Sequence, residues 1–244
     1  MNIVKLGGSV VNPTGKYDPI LIDTFISIVK KSRDSFLFII GGGKICRFIQ
    51  DAARSYLREA LQDEKEVSLA NDELGLAVTK INARYVLHCF QEKLGRCVYP
   101  EILLDPTQYL QEKAKVFFAG GWKPGHSTDT DMMLLAETFK APKIFKLSNF
   151  DIVRRIRPEN LVGLSEQEKT KQLQRAEEIS SLTWRELHDL VGKDWKPGLN
   201  TPFDPSAVKL GLEMKKALTL YIGKEQEFPK MLQGKAFRGT VVKG

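Results

Sequence analysis

The sequence has little of what marks secreted, membrane or zinc-binding proteins. Its three cysteines, Cys46, Cys89 and Cys97, are too few and too unevenly spaced for a disulfide framework or a zinc site. The longest apolar runs, such as 36–40 and 116–119, fall far short of the roughly 20 residues that a bilayer requires. The N-terminus shows no signal-peptide pattern. These absences predict reduced thiols and a cytoplasmic protein that has no membrane partner.

Positive charge is in excess, but it is not concentrated. The formal net charge is +7, from 37 Lys and Arg against 30 Asp and Glu, and the basic residues are scattered through segments that also carry acids. The chain lacks a basic face interleaved with aromatic residues and any known nucleic-acid motif. The charge therefore favours an anionic small molecule, and we expect no nucleic-acid partner, although a nucleic-acid-binding protein is the alternative that charge alone leaves open.

Three predicted strands each end in glycines. Segment 2–6 runs into Gly7 and Gly8, segment 36–40 into 41–43, and segment 116–119 into 120–121. Helices are predicted at 44–60 and 129–140, and a further strand at 143–147. Strands that alternate with helices at this spacing predict an α/β fold, a three-layer αβα sandwich around a mostly parallel sheet.

The C-terminal third is less regular. Segment 158–179 is rich in Glu, Gln, Lys and Arg and predicts a solvated surface excursion or helix. Thr183 and Glu186 fit a capping box at the start of a helix that continues to 191. A helix at 205–216 and a strand at 218–222 complete the predicted elements.

The glycine turns indicate anion binding. Backbone amides approach an anion closely at glycine, and the helix that follows adds the positive end of its dipole. In parallel sheets such turns converge at the carboxyl edge, where ligands bind. Glycine also simply ends strands, which is the alternative for any single turn. Neither a Walker A loop nor a GxGxxG fingerprint is present.

The chain resembles the amino-acid kinase superfamily, and within it the UMP kinases of the archaeal type. Six motifs in the family's order carry this resemblance over nearly the whole chain. They are KLGGS at 5–9, GGGKxxR at 41–47, DELGLAVTKINA at 72–83, GGWKPGHSTD at 120–129, SNFD at 148–151 and DPSAVK at 204–209.

The resemblance implies an enzyme of pyrimidine nucleotide biosynthesis that transfers the γ-phosphoryl group of ATP to UMP and gives UDP. It implies Mg²⁺ held through the ATP phosphates, with no metal ligands of the protein's own. It also implies one domain over 1–244, with an N-lobe at about 1–145 for the acceptor and a C-lobe at about 146–244 for the donor. A homo-oligomer is expected, a hexamer built as a trimer of dimers, with a dimer contact near 47–61.

The same resemblance assigns site residues. Lys5 and Lys209 correspond to the lysines that neutralise phosphate charge, and Asp129 to the carboxylate that orients them. The expected donor-site residues are Gly7, Gly8, Gly43, Arg47, Ser148, Asn149, Asp151 and Arg154. The expected UMP-site residues are Gly42, Asp72, Gly121, Trp122, Gly125, His126, Ser127 and Thr128. Bland alternatives are an exposed helix lysine for Lys209, a helix N-cap for Asp129 and a brace of the turn for His126.

One segment departs from the family pattern. Where the family continues N-x-D-G-V-Y-x-x-D-P, the chain has NFDIVRRIR at 149–157, so that a glycine, a tyrosine and an acid are replaced. This leaves open a catalytically silent homologue that binds nucleotide or another oxyanion, and an enzyme of the superfamily with a different small acceptor. Asp131, an added carboxylate after the GGWKPGHSTD motif, is expected to be exposed to solvent.

Overall fold

The computed structural model describes residues 1–61, 63–192, 201–214 and 217–244. The chain forms two compact units, Met1–Ala141 and Pro142–Gly244. Among the described residues, no helix combines the length and the apolar character that crossing a membrane requires.

The first unit is built on parallel strands in the order β3-β4-β2-β1. Their bounds are β1 Asn2–Leu6, β2 Phe36–Ile40, β3 Val98–Leu103 and β4 Val116–Ala119. β2 is buried along its whole length, as its unbroken FLFII run predicts for a central parallel strand. Phe38 stacks on Phe118 and contacts Phe90, so aromatic rings fill the space beside the sheet.

Helices of the first unit follow the strands. Their bounds are α1 Gly8–Val11, α2 Pro19–Lys31, α3 Gly43–Ala60, α4 Glu64–Leu94 and α5 Thr128–Thr138. Asp18 caps α2 by accepting a hydrogen bond from the Leu21 amide, and Pro19 at the first position has no amide that needs a partner. α1, α3 and α5 begin at the carboxyl ends of β1, β2 and the segment after β4, which brings three chain turns to one edge of the sheet.

The second unit carries strands in the order β5-β9-β10-β8, in which only β9 and β10 are antiparallel. Its elements are β5 Lys143–Leu147, β6 Val153–Arg154, α6 Glu166–Arg175, β7 Glu178–Ile179, β8 Ser181–Thr183, α7 Trp184–Val191, α8 Pro205–Glu213, β9 Thr219–Gly223, α9 Phe228–Gln233 and β10 Gly239–Lys243. β6 and β7 form a separate two-stranded ribbon. Trp184 donates a hydrogen bond to the Leu218 carbonyl across the core of this unit.

The predicted elements are largely confirmed. The strands at 2–6, 36–40, 116–119 and 143–147 have the expected bounds, and Thr183 and Glu186 form the predicted capping box. The helix predicted to reach 140 ends at Thr138, because Lys140 adopts a left-handed backbone with φ 51°. α8 ends at Glu213, and positions 215–216 of the predicted helix lie outside the described residues.

Candidate active site

A buried ion pair stands at the carboxyl edge of the first unit's sheet. Lys5 lies near the end of β1, and its Nζ is 2.7 Å from Oδ1 of Asp129 in the first turn of α5. The two side chains are 11% and 8% exposed, so water screens the pair only weakly. The predicted association of Lys5 with Asp129 is therefore present in the structure. Asp129 is not the N-cap of α5, because Ser127 has that position and accepts from the Thr130 amide.

Two glycine turns pack directly on each other beside this pair. A side chain at Gly8 would place its Cβ 1.9 Å from the Gly43 amide nitrogen, so only glycine fits there. Gly43 has φ 69°, a left-handed conformation that other residues adopt at a cost. Gly42 is the N-cap of α3 and has no side chain that caps the helix amides. The turns at 7–8 and 42–43 thus present backbone rather than side chains, as a phosphate-binding cradle requires.

Two buried asparagines hold the second glycine turn in place. Asn82 on α4 donates from Nδ2 to the carbonyls of Gly41 and Gly42, at 2.9 and 3.0 Å. Asn12 Oδ1 accepts from the Lys44 amide at 3.1 Å. Both asparagines are completely buried, so losing either one would leave unsatisfied backbone groups. Neither asparagine was predicted as a site residue, although Asn82 lies inside the DELGLAVTKINA motif.

The loop from Gly120 to Ser127, here called the acceptor loop, is fixed at both ends to α4. Thr79 Oγ1 accepts from the Gly121 amide at 2.8 Å, and Asp72 Oδ2 accepts from the Gly125 amide at 3.4 Å. Asp72 therefore fixes the acceptor loop through the Gly125 amide. Thr79 is a third site residue that was not predicted, although it lies inside the DELGLAVTKINA motif.

Asp131 is buried, and the expectation that it would be exposed was wrong. The residue is 1% exposed, and its Oδ2 accepts from the Trp122 amide at 3.0 Å. Burial raises the pKa of this carboxyl, although Trp122, His126 and Lys5 all act in the opposite direction. The signal for burial was the apolar run at 132–136, which makes α5 hydrophobic on several faces and leaves little solvent at its first turn.

Aromatic and charged side chains cover the tip of the acceptor loop. The rings of Trp122 and His126 meet edge to face with centroids 5.0 Å apart, and Lys123 Nζ lies 3.8 Å from the Trp122 ring centroid. Trp122 and His126 are half-buried. The first unit thus places all of the expected UMP-site residues except Gly42 on the acceptor loop, at the start of α5 and on α4, while Gly42 is the N-cap of α3. Arg47 lies on α3 with its side chain exposed.

In the second unit, an ion network ties two of the expected donor-site residues together. Arg238 donates from Nε to Asp151 at 2.7 Å and pairs through both terminal nitrogens with Glu178. Arg154 lies 2.9 Å from Glu178. Partial burial raises the pKa of Asp151, but the hydrogen bond and charge of Arg238 outweigh it, and the pKa lies below its ordinary value. Sequence reasoning missed Arg238 and Glu178.

The other predicted residues of this unit are less connected. Ser148 is buried, and its Oγ has no hydrogen-bond partner within the described parts of the chain. Asn149 is exposed after the end of β5. Lys209 is exposed on α8, whose N-terminus Asp204 caps by accepting from the Ser206 and Ala207 amides.

Residues 1–61, 63–192, 201–214 and 217–244 contain no group of three or more His, Cys, Asp and Glu side chains that could hold a metal ion. The features that do converge are amide-lined glycine turns and a lysine, which suit phosphate oxygens. A nucleoside triphosphate fits this set of hydrogen-bond donors. A metal ion bound to its phosphates does not require a full set of protein ligands.

Comparison with known proteins places the chain among kinases of uridylate. It is 30% identical over 215 residues to a uridylate kinase of Pyrococcus abyssi, covering 85% of this chain and 84% of that protein. It is 29% identical over 214 residues to a uridylate kinase of Methanoculleus marisnigri, covering 85% and 80%. No model of a known protein family matches the chain.

Solved structures agree on the fold. The crystal structure of the uridylate kinase from Archaeoglobus fulgidus superposes with a TM-score of 0.72 at 23% identity, covering 99% of both chains. A UMP kinase structure from Bacillus anthracis gives a TM-score of 0.66 at 14% identity over 99% of this chain and 94% of that one. The predicted α/β class with a mostly parallel sheet is confirmed. By its sequence likeness to these relatives, the chain belongs to the uridylate kinase family.

Proposed function

We propose that the protein transfers the γ-phosphoryl group of ATP to UMP and produces UDP and ADP. The observation that carries this proposal is the buried contact between Lys5 and Asp129 beside the two packed glycine turns. A carboxylate that fixes a lysine next to glycine turns that present their backbone suits the handling of phosphate charge. The relatives named uridylate kinase support UMP as the acceptor.

Phosphoryl transfer depends on positioning and on charge neutralisation more than on covalent chemistry. The UMP phosphate is already deprotonated at neutral pH, so no strong general base is needed. Lys5 and Lys209 stabilise the charge on the transferred group, and Asp129 keeps the Lys5 ammonium in one position. Mg²⁺ bound to the ATP phosphates supplies further neutralisation of their charge.

The remaining assignments follow the elements that carry the residues. Acceptor contacts come from Gly42, Asp72 and the acceptor loop, where Ser127 and Thr128 stand at the start of α5. Donor contacts come from Gly7, Gly8, Gly43 and Arg47, and from Ser148, Asn149, Asp151 and Arg154. In this proposal the N-lobe binds UMP and the C-lobe binds ATP within one domain.

Self-association is part of the proposal, as a hexamer built from dimers. Its support is α3, which contains no buried residue and carries Phe48 and Tyr56 at 74% and 71% exposure. An apolar surface of this kind is typical of a contact between protein chains. Light scattering coupled to size-exclusion chromatography would measure the mass directly, and a monomer at every concentration would contradict this part of the proposal.

A coupled assay of ADP release tests the activity. ATP and Mg²⁺ are supplied with UMP, CMP, AMP and small phosphorylated or carboxylated acceptors in turn. We expect turnover with UMP to exceed turnover with the other acceptors. Clear turnover of another acceptor without any turnover of UMP would overturn the acceptor assignment. Tight UMP or ATP binding by calorimetry without product would instead support a silent homologue.

A further inference from the structure

Asp131 is almost completely buried beside the acceptor loop, whereas His126 within the loop is only half-buried. It lies two residues after Asp129 on α5, and its Oδ2 is committed to the Trp122 amide at 3.0 Å. Its Oδ1 lies 3.3 Å from Nδ1 of His126. One carboxylate thus reaches both a backbone amide near the start of the loop and a ring near its end.

The two atoms that face each other, Asp131 Oδ1 and His126 Nδ1, have no other hydrogen-bond partner among the described residues. Asp131 Oδ1 and His126 Nδ1 are both buried, and neither makes a hydrogen bond of good geometry to any described residue. Buried polar atoms are normally paired. A single proton between these two atoms satisfies both, and because a carboxylate only accepts, that proton belongs to His126 Nδ1.

We propose that Asp131 is a positioning residue, which fixes the Trp122 backbone and the His126 ring so that the acceptor loop is preformed for its ligand. This inference rests on the proposed function of the loop as the UMP site. It assigns a role to a residue outside the six motifs. A preformed loop lowers the ordering cost of binding, so Asp131 is expected to act on acceptor affinity and not on the chemical step.

Steady-state kinetics of Asp131→Ala and Asp131→Asn measure this effect. We expect the KM for UMP to rise about tenfold for Asp131→Ala, which loses both contacts. The KM for ATP and kcat should stay within about threefold of the wild type. Asp23→Asn removes an exposed carboxylate on α2 of the same unit and is the matched control. Equal changes in the two KM values and in kcat would show a general structural defect and overturn the proposal.

Two substitutions of His126 distinguish the roles of its two ring nitrogens. An asparagine amide occupies the place of Nδ1 and a glutamine amide that of Nε2. His126→Asn keeps the donor that faces Asp131, so combining it with Asp131→Asn should weaken UMP binding further. His126→Gln lacks that donor, so the same addition should have less than a twofold effect. Identical responses of the two backgrounds would overturn the assigned proton.

A readout that needs no turnover distinguishes this inference from the proposed activity. Amide hydrogen exchange at Trp122 should quicken at least tenfold in Asp131→Ala, while exchange at Gly125, which Asp72 holds, should not change. This result without any UMP turnover in the wild type would refute the activity and retain the positioning role. Unchanged exchange at Trp122 in a folded variant would refute the positioning role itself.

Discussion

The two units hold their candidate site residues in opposite ways. In the first unit, Lys5, Asp129 and Asp131 are buried or nearly so. In the second unit, Asp151, Arg154, Glu178 and Arg238 form a shared network at the surface, with side chains 18–51% exposed. Buried contacts lose their full value when one partner is removed, whereas exposed networks are screened and replaceable. Substitutions of these buried contacts should therefore have larger effects than substitutions within the surface network.

The difference also matches where the sequence departs from its family. The motifs of the first unit resemble those of the family, and a buried constellation tolerates few other residues. The segment at 149–157 has changed, and Arg154 within it pairs with Glu178 and lies near Asp151. A surface network can be rebuilt with other residues because water competes for every contact in it.

The largest expected effect comes from breaking the buried ion pair. Lys5→Ala should lower kcat by roughly 10²-fold or more, because the charge that it neutralises develops in the transition state. Lys209→Ala should have an effect of the same order. The KM for UMP should change far less in both variants. The control is Lys31→Ala, an exposed lysine at the end of α2. Near-normal kcat in both variants would refute the roles assigned to the lysines.

A smaller effect is expected at Asp72, whose contact with the acceptor loop exists before and during the reaction. Asp72→Ala should raise the KM for UMP about fivefold and leave kcat nearly unchanged, because it weakens ground-state and transition-state binding equally. Glu73→Ala, at the exposed neighbouring position on α4, is the matched control. A loss of kcat without a change in KM would place Asp72 in the chemistry instead.

The sequence predicted the parts of this comparison that follow from local pattern. Glycine turns after apolar strands predicted that the site lies at the carboxyl edge of the sheet, where Lys5 is found. The capping box predicted at Thr183 is confirmed. Burial of Asp131 was missed, because it depends on what packs around α5 and not on the residue itself. Arg238 and Glu178 were missed because both lie far along the chain from the motif residue Asp151. Pairing across such distances leaves no signal in a single sequence.

The pH dependence of stability should differ in sign between the units, and the first case is Asp131. Its pKa is raised by burial, so it contributes stability below the unfolded pKa of about 4, and this is lost as pH rises through the folded pKa. His126 and Lys5 face this carboxyl and oppose the shift. The free energy of unfolding of Asp131→Asn, relative to that of the wild type, should therefore rise by about 1 kcal/mol between pH 4 and pH 8. Urea unfolding across that pH range measures the stability of both proteins. A stability of Asp131→Asn that falls relative to the wild type as the pH rises would contradict a raised pKa of Asp131.

The second case, and the smallest effect, is Asp151. Its pKa is depressed because the hydrogen bond and charge of Arg238 outweigh its partial desolvation. A depressed pKa contributes stability above the unfolded pKa, which is lost as pH falls through the folded value. Asp151→Asn should therefore have a free energy of unfolding lower than the wild type's at pH 7, by less than about 1 kcal/mol for so exposed a pair. This difference should shrink as the pH falls below about 4. Because salt screens surface charges, 1 M NaCl should reduce the difference at pH 7 while leaving that of Asp131→Asn largely intact. Equal salt sensitivity of the two variants would remove the contrast between a buried and a surface site.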